Sequence, residues 1–376
     1  MASYMLAIQI RSLDAQADIG IITKTDGRYY PKPLLSTAIY HKKKVEDIVT
    51  ETAAGMADKY QIRVYTKEEV IDIHTDQKSL ETHTGKRFTY NKLVFATGSN
   101  PISLQLPNGG EEHIYQVNAL EDYERLTEAL RDKKSITIVG SGLVGVEFAH
   151  DLVQAGYRVR VLSLEPYPLA GLVPSSISEQ LKSHLLQLGV TWVTGALTGI
   201  QKHQSSGYTL STDNASYEAD IVLGAVGIKA NIDLAQKSGL TCSHAIEVDT
   251  SLKSNKPDIY ALGDAATIGP LHLTYVAPIK QQAKALAHTL LGQETNVHYP
   301  AMPVVVKVPT LPLTLVPVRG NVEGAWEDQP WEDDQGVISV FYNKSHVVCG
   351  FALVGTATRQ RNTWLEKMSN LLEGEA

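Results

Sequence analysis

Strand-like apolar runs alternate with amphipathic helical stretches over about the first 290 residues of the chain. This alternation predicts an α/β architecture, in which helices cover parallel sheets. It runs twice along the chain, and no fixed-period repeat of the solenoid kind accompanies it. The first series contains the apolar-patterned Ala2–Arg11, the strand-like Ile19–Thr23 and the strand Lys92–Gly98, which runs into a glycine turn.

The second series opens with the strand-like Ser135–Gly140 and continues into a helix that begins near Gly142. The strand-like Val159–Leu164 follows this helix, and Asp220–Gly227 completes the series. Two series of this kind predict two Rossmann-like dinucleotide-binding domains.

A return segment follows, with a strand-like Asp258–Asp264 and a helix-periodic Thr274–Gly292. From about Val297 the sequence pattern changes: prolines separate short strand-like runs, and the hairpin-like Gly336–Ala352 follows. We therefore expect the chain to end in a small, separate α+β domain.

Composition narrows the possible functions. The net charge is −7, so no basic surface for nucleic acid stands out. Cys242 and Cys349 form no CxxC-like pair, which argues against a disulphide scaffold, a zinc or iron–sulfur site, and a redox-active cysteine pair. No apolar run reaches the roughly 18 residues that a membrane helix needs. We expect a soluble, cytoplasmic protein with no membrane insertion.

The strongest local motif is a G-x-G-x-x-G string formed by Gly140, Gly142 and Gly145. It follows an apolar strand and opens a helix, and a second apolar strand follows within about twenty residues, which is the context that a dinucleotide site requires. The first glycine allows a tight turn, the second lets the pyrophosphate approach the backbone, and the third allows close helix–strand packing. The helix N-terminus then supplies amide donors to the phosphates.

The acid that holds the adenine ribose is expected at the end of the second strand, where Ser163 stands. Glu165, two residues further on, is the nearest carboxylate, and no arginine stands nearby to accept a 2′-phosphate. The pattern therefore favours NADH over NADPH. The alternative interpretation is that Glu165 is a solvated loop acid.

Three further segments place a glycine where a strand ends. They are Ala96-Thr97-Gly98, Ala225-Val226-Gly227 and Tyr260–Asp264. Singly, each segment is more often a plain turn than a ligand site. Their order around an inserted dinucleotide unit is far rarer.

In that order, the segments resemble the flavoprotein reductases with two dinucleotide-binding domains, the superfamily of glutathione reductase and the ferredoxin reductases. The resemblance is strongest to the rubredoxin–NAD(+) reductases of alkane-hydroxylating bacteria, and it covers nearly the whole chain to about Gly355. The stretches that carry it are Asp26–Thr37, Gly140–Asp151, Tyr260–Asp264, Tyr275–Pro278 and Met302–Leu313.

The resemblance implies FAD and NADH as cofactors and gives roles to particular residues. Lys32 would lie beside the flavin ring, paired with Glu147, and both are expected to shape the reactive face; a positive charge there stabilises the reduced ring. Asp264 would bind a ribityl hydroxyl of FAD. Without the resemblance, Lys32 would read as a surface lysine and Glu147 as an ordinary first-turn helix acid. The other implied contacts are Pro33, Ala96, Thr97, Gly98, Gly263 and Lys307 for FAD, and Gly227 for NADH.

The same resemblance gives the expected domain boundaries. They are 1–113 with 243–292 for a discontinuous FAD-binding domain, 114–242 for an NAD-binding domain, and 293–376 for a C-terminal domain that docks the electron acceptor.

The chain departs from the family at its start. In relatives a first strand ends in a glycine-rich loop that cradles the FAD pyrophosphate, whereas Met1–Leu6 resembles the interior of the helix after that loop. The acid expected after the second strand is also displaced, to Asp26. We expect the reading frame upstream of Met1 to encode the strand and loop, and the extended chain to retain FAD better. The alternative is that the loop has been lost.

The expected function is electron transfer from NADH through FAD to rubredoxin or a similar small carrier. One alternative is a ferredoxin reductase that serves a dioxygenase or a cytochrome P450. Another is a non-enzymatic NAD-binding protein that has lost FAD. The sequence leaves the oligomeric state open.

We predict that kcat/KM is much higher with NADH than with NADPH. The reason is that Glu165 would accept hydrogen bonds from the ribose hydroxyls of NADH and would repel the 2′-phosphate of NADPH. Steady-state kinetics with the two nucleotides would check this. Comparable efficiency with both would contradict the assignment of Glu165.

Overall fold

The computed structural model of the chain describes residues 1–204 and 206–372, and the chain divides into two compact units. Each unit is assembled from separate segments of sequence. The first comprises Met1–Pro31, Val49–Asn100 and Ile228–Tyr299, and the second comprises Lys32–Ile48, Pro101–Gly227 and the chain from Pro300. The domain boundaries expected from the sequence remain a prediction.

The helices and strands of the described residues are numbered in chain order. The α-helices are α1 (Ala2–Leu13), α2 (Val45–Ile48), α3 (Ala53–Tyr60), α4 (Leu120–Ala129), α5 (Leu143–Gln154), α6 (Ser175–Gln187), α7 (Asp233–Lys237), α8 (Val276–Leu290) and α9 (Arg361–Leu365). Short 3-10 helices span Lys32–Ser36, Glu111–His113, Gly263–Ala265 and Thr356–Gln360.

The first strands along the chain are β1 (Gly20–Ile22), β2 (Arg63–Tyr65), β3 (Val70–His74), β4 (Ser79–Thr82), β5 (Arg87–Thr89), β6 (Leu93–Phe95), β7 (Ser99–Pro101) and β8 (Ile114–Tyr115). Next come β9 (Ser135–Val139), β10 (Arg158–Ser163), β11 (Thr191–Thr194), β12 (Leu197–Lys202), β13 (Tyr208–Thr212), β14 (Ser216–Ala219), β15 (Ile221–Gly224) and β16 (Ile228–Ala230). The last are β17 (Ile246–Val248), β18 (Ile259–Ala261), β19 (Ala266–Ile268), β20 (Val304–Val306), β21 (Leu313–Val316), β22 (Gly324–Gln329), β23 (Gly336–Asn343) and β24 (Val348–Gly355).

Parallel strand pairs form the framework of the first unit. β1 pairs with β2, β6 with β18, and β17 with β19, while β3, β4 and β5 form a separate antiparallel sheet. Helix α1 buries residues at helical spacing, among them Tyr4 and Ala7, which pack in one cluster with Ile21 and Met56. The hydroxyl of Tyr4 donates to the carbonyl of Gly27 at 2.6 Å, so this buried phenol is satisfied.

The second unit contains a five-stranded parallel sheet in the order β11-β10-β9-β15-β8. A parallel sheet is covered on both faces, which is why β9 reads as a continuous apolar run, with Ile136 and Ile138 at most 1% exposed. The antiparallel sheet β12-β13-β14 belongs to the same unit. Helices α5 and α6 connect consecutive strands of the parallel sheet, as a dinucleotide fold requires.

The C-terminal part of the second unit is an antiparallel sheet in the order β20-β21-β24-β23-β22. Its core contains Val340, Phe351 and Leu353, all fully buried, and Trp364 from α9 packs against them. β24 is the central strand of this sheet, and it pairs with β23. These two strands are also the longest of the sheet.

The predicted α/β class is confirmed, and so is a separate C-terminal sheet. The helix expected near Gly142 is α5, and the hairpin expected at Gly336–Ala352 is β23 with β24. The hairpin extends to Gly355, because pairing continues to the Gly336–Gly355 pair. In the described part of the chain, no helix combines the length and the apolar character needed to span a membrane.

Candidate active site

The three glycines of the Gly140–Gly145 loop differ in the space that surrounds them. Gly140 has φ +109°, and a Cβ on it would lie 2.5 Å from the carbonyl oxygen of Ala225. A Cβ on Gly145 would overlap the carbonyl oxygen of Gly140. A Cβ on Gly142, in contrast, would meet no atom within 4 Å. Gly140 and Gly145 therefore satisfy packing within the protein, and Gly142 leaves open space at the N-terminus of α5.

The loop after β10 carries Glu165, the predicted ribose acid, which is exposed. Its backbone N–H donates to the Ser163 hydroxyl at 3.1 Å, and that hydroxyl lies 2.6 Å from the hydroxyl of Ser141 in the glycine loop. Lys182 of α6 donates to the carbonyl of Pro166 at 2.8 Å. The ammonium group of Lys182 therefore lies at the loop that carries Glu165, although Lys182 is 17 residues further along the chain.

Helix α5 buries the carboxylate of Glu147, which is 4% exposed. The Ser36 hydroxyl donates to its Oε2 at 2.6 Å, and the backbone N–H of Lys307 donates to its Oε1 at 3.2 Å. The ammonium group of Lys307 forms an ion pair with the same carboxylate. Lys32 opens the 3-10 helix that ends at Ser36 and is half-buried. The structure therefore brings Glu147 and Lys307 into direct contact; the sequence implied a role for each but did not pair them.

One turn further along α5, Asp151 is also buried. Its Oδ2 accepts the backbone N–H groups of Ile39 and Tyr40, at 2.9 and 3.2 Å. Burial raises the pKa of Asp151 to about 6, because the loss of water outweighs the two amide bonds that favour the charged form. No sequence motif points to Asp151, because its partners lie more than 100 residues away.

Between these two carboxylates lies His150, which is 6% exposed. Its Nε2 lies 2.8 Å from the hydroxyl oxygen of Thr310, and the Nε2 of His184 lies 2.7 Å from the same oxygen. Burial, together with the neighbouring His184, lowers the pKa of His150 to about 4, and burial lowers the pKa of His184 as well. Both rings are therefore neutral near pH 7.

Several of the residues predicted to hold the flavin lie in the first unit, whereas Lys32, Pro33 and Lys307 belong to the second. Asp264 follows β18, and its carboxylate accepts a hydrogen bond from Ser99 at 2.7 Å. Gly98 has φ +67° and open space where a Cβ would stand. Gly263 has φ +72°, and its N–H donates at 2.6 Å to the side chain of Gln282, a buried residue that the sequence analysis did not select. The strand end therefore presents the Asp264 carboxylate, and Gly98 leaves room for a ligand, whereas a Cβ on Gly263 would contact Ala2.

The remaining predicted contacts take ordinary positions. Thr97 is exposed and exchanges hydrogen bonds with Asn231: its hydroxyl donates to the Asn231 carbonyl, and its own carbonyl accepts from the Asn231 amide, both at 2.9 Å. Ala96 is half-buried and Pro33 is exposed. Gly227 has φ +107° in the turn after β15. Their proposed roles as ligand contacts remain predictions.

Comparison with known proteins decides the family. Residues 1–289 match the pyridine nucleotide-disulphide oxidoreductases. The chain belongs to this family. Residues 296–368 match a second family, described as a rubredoxin binding C-terminal domain.

Relatives within the family match over the full length. The rubredoxin-NAD(+) reductase of Acinetobacter baylyi is 37% identical, over 100% of this chain and 97% of its own length. That of Alcanivorax borkumensis is 33% identical, over 96% of this chain and 94% of its own. Among solved structures, the ferredoxin reductase for the CYP199A2 system of Rhodopseudomonas palustris has a TM-score of 0.87 at 22% identity and covers 98% of this chain and 93% of its own. At that identity the likeness shows the fold alone.

The family's cofactors are FAD and a pyridine nucleotide, and the residues present fit both. Gly142, where a Cβ would meet open space, stands directly before the first residue of α5, and the N-terminus of this helix would receive the nucleotide's pyrophosphate. The open space at Gly98 and the carboxylate of Asp264 lie at the ends of β6 and β18, which pair in parallel, so both strands end at one edge of the sheet.

We predict that Gly142→Val weakens NADH binding at least about tenfold and leaves the fold stable, because its Cβ would enter empty space that the pyrophosphate needs. Gly140→Ala is the matched comparison: it should lower the free energy of unfolding by about 1–3 kcal/mol, since φ is positive and the Cβ meets a carbonyl oxygen. Equilibrium NADH titration and chemical denaturation separate the two effects. Equal NADH affinity of the wild type and Gly142→Val would contradict this division.

We predict that Asp151→Asn becomes more stable relative to the wild type as the pH rises from 4 to 7. A carboxyl group whose pKa is raised on folding contributes stability below its unfolded pKa, and this contribution is lost as the pH rises through about 6. The difference in unfolding free energy between variant and wild type should change by about 1–3 kcal/mol across that window. Denaturant titrations at pH 4.5 and 7 measure it, and a difference that is independent of pH would mean that the Asp151 pKa is normal.

Proposed function

We propose that the protein is an NADH-dependent flavoprotein reductase that passes electrons through FAD to rubredoxin. The observation that carries this proposal is the match of residues 296–368 to a rubredoxin binding domain, downstream of a complete pyridine nucleotide motif. Relatives named rubredoxin-NAD(+) reductases, matched end to end, support the same conclusion.

Glu147 connects the nucleotide-binding loop with the segment that matches the rubredoxin binding domain. Its helix begins at the nucleotide loop, and its carboxylate binds Lys307, which belongs to the segment that matches the rubredoxin binding domain. FAD, when bound, supplies the chemistry, since it takes two electrons with a hydride and releases electrons singly. The protein's part is to bind both nucleotides, to place charges beside the ring and to present a surface to the acceptor.

The charge balance around Glu147 concerns three groups. Lys307 neutralises this carboxylate, and Ser36 supplies a further donor. A buried carboxylate with these partners is held in a fixed position. We assign Lys32 to the flavin side of this cluster, at the start of the 3-10 helix that Ser36 ends. There its charge would stabilise the reduced ring.

The cysteines argue against a disulphide reductase. Cys242 and Cys349 are both free thiols. Burial raises the pKa of each, so both are protonated near neutral pH and are poor nucleophiles. Electron transfer to a carrier requires neither of them.

We propose further that the reductase works in the cytoplasm and serves alkane degradation. Two free thiols suit a reducing compartment. The alkane role rests on the resemblance to rubredoxin reductases of alkane-hydroxylating bacteria.

The central experiment follows the flavin-loaded protein with NADH and Acinetobacter baylyi rubredoxin. We expect the visible absorbance of oxidised rubredoxin to bleach with turnover. A plant-type ferredoxin under the same conditions serves as the comparison acceptor. Fast reduction of the ferredoxin with none of the rubredoxin would favour a ferredoxin reductase instead.

We predict that Lys32→Met lowers the two-electron potential of the bound flavin and slows its reduction by NADH, because a positive charge that stabilises the reduced ring is lost. Equilibrium titration against dyes of known potential measures the shift. Lys284→Met, which removes an exposed lysine of α8, is the control and should leave the potential unchanged. A Lys32→Met potential equal to that of the wild type would show that Lys32 is not near the ring.

A further inference from the structure

The loop that follows β10 carries Glu165 and has few backbone donors of its own. Pro166 and Pro168 lack an N–H group, so a ladder of backbone bonds cannot hold this stretch. Side chains of α6 bind its carbonyl groups instead. The hydroxyl of Ser178 donates to the carbonyl of Pro168 at 2.8 Å, and the ammonium group of Lys182 donates to that of Pro166 at 2.8 Å. The loop is therefore fixed from α6.

The same loop is also joined to the glycine loop of the nucleotide site. The hydroxyls of Ser141 and Ser163 lie 2.6 Å apart, and the backbone N–H of Leu169 donates to the carbonyl of Ser141 at 2.9 Å. Glu165 lies between these two attachment points in the sequence, and Pro166 directly follows it. A group bound to Pro166 therefore keeps a defined position relative to the pyrophosphate loop and to the ribose acid.

Lys182 is held at the loop by more than this one hydrogen bond. Its Nζ lies 5.2 Å from the centroid of the Tyr167 ring and 5.5 Å from that of the Trp192 ring. Aromatic ring faces attract a cation at such distances. The Pro166 carbonyl takes one of the three N–H donors of the ammonium group. A carbonyl and two rings hold the cation in place and leave its net charge unchanged.

Glu179, three residues before Lys182 on α6, interacts with Tyr167. Its negative charge, together with a hydrogen bond between the two side chains, raises the pKa of the Tyr167 phenol. The Glu179 carboxylate is thus directed to the phenol. The ribose loop then presents two charges of opposite sign, the carboxylate of Glu165 and the ammonium group of Lys182.

The 2′-phosphate is the group that distinguishes NADPH from NADH, and a carboxylate at the ribose repels it. We propose that Lys182 is a specificity-determining residue of the nucleotide site, and that its ammonium group attracts the 2′-phosphate and offsets part of the repulsion by Glu165. The donor preference then depends on both charges. NADH is favoured because of Glu165, and NADPH keeps a measurable affinity because of Lys182. Salt weakens both effects, since the loop is open to solvent.

The test measures the equilibrium binding of NAD+ and NADP+ to the oxidised, flavin-loaded protein by calorimetry. These nucleotides differ only in the 2′-phosphate, so the ratio of their dissociation constants isolates its contribution. Lys182→Met removes the charge and keeps an apolar stem against the rings, and Lys182→Arg keeps the charge. Ser178→Ala removes a bond to the same loop without any change in charge. Lys284→Met removes an exposed lysine of α8 and is the control for net charge.

We expect Lys182→Met to weaken NADP+ binding about fivefold at low salt and NAD+ binding less than about twofold, because a partly exposed pair of opposite charges contributes about that factor. Lys182→Arg, Ser178→Ala and Lys284→Met should keep the wild-type ratio. Glu165→Gln should strengthen NADP+ binding. The loss caused by Lys182→Met should persist in Glu165→Gln, because the ammonium group acts on the phosphate itself. The kcat/KM for NADPH should change in parallel.

Four outcomes would overturn the proposal. Equal weakening of NAD+ and NADP+ binding by Lys182→Met would mean that Lys182 only fixes the loop. A change of the ratio in Ser178→Ala as large as that in Lys182→Met would mean that loop position, and not charge, sets the preference. A loss that disappears in Glu165→Gln would mean that Lys182 acts by positioning Glu165. Unchanged NADP+ binding in both backgrounds would mean that the ammonium group does not reach the phosphate.

Discussion

The structure of the second unit depends on one buried charge. The carboxylate of Glu147 is almost wholly removed from water, and an ionised group in that position is tolerated only when it is paired and hydrogen-bonded. Lys307 and Ser36 meet this requirement from two segments far apart in sequence. The helix that starts at the nucleotide loop is thereby tied to both. Removal of any one partner would leave the others buried with unmet bonds, and such losses usually cost several kcal/mol.

Two further buried polar side chains of α5, within one turn of Glu147, also bind segments that are distant in sequence. His150 binds Thr310, and Asp151 binds the backbone of residues 39 and 40, so three buried polar side chains on one face each hold a segment outside the helix. Hydrogen bonds have directional requirements that apolar contacts lack. The helix therefore sets the position of these segments more precisely than an apolar face of the same size would.

Much of this molecule was predictable because its signals are local. The glycines at 140, 142 and 145, the strands on either side and the hairpin that begins at Gly336 all follow from short-range sequence patterns. The contact between Glu147 and Lys307 was not predictable, because 160 residues separate them and either side chain alone has an ordinary surface interpretation. The same holds for Lys182, which reaches the Glu165 loop from the next helix. Asp151 gave no signal, since nothing in its neighbourhood shows that its partners are backbone amides.

The hydroxyl of Thr310 lies within hydrogen-bond distance of two imidazole rings, and it has a single proton to give. If it donates to the Nε2 of one ring, it accepts from the Nε2–H of the other, and the two neutral histidines then hold opposite tautomers. The three side chains form a short chain of bonds with a direction, which can only reverse as a whole. His150, His184 and Thr310 are therefore constrained as a set, and an exchange of any one for a residue with a fixed donor pattern would have to be matched by a change in another.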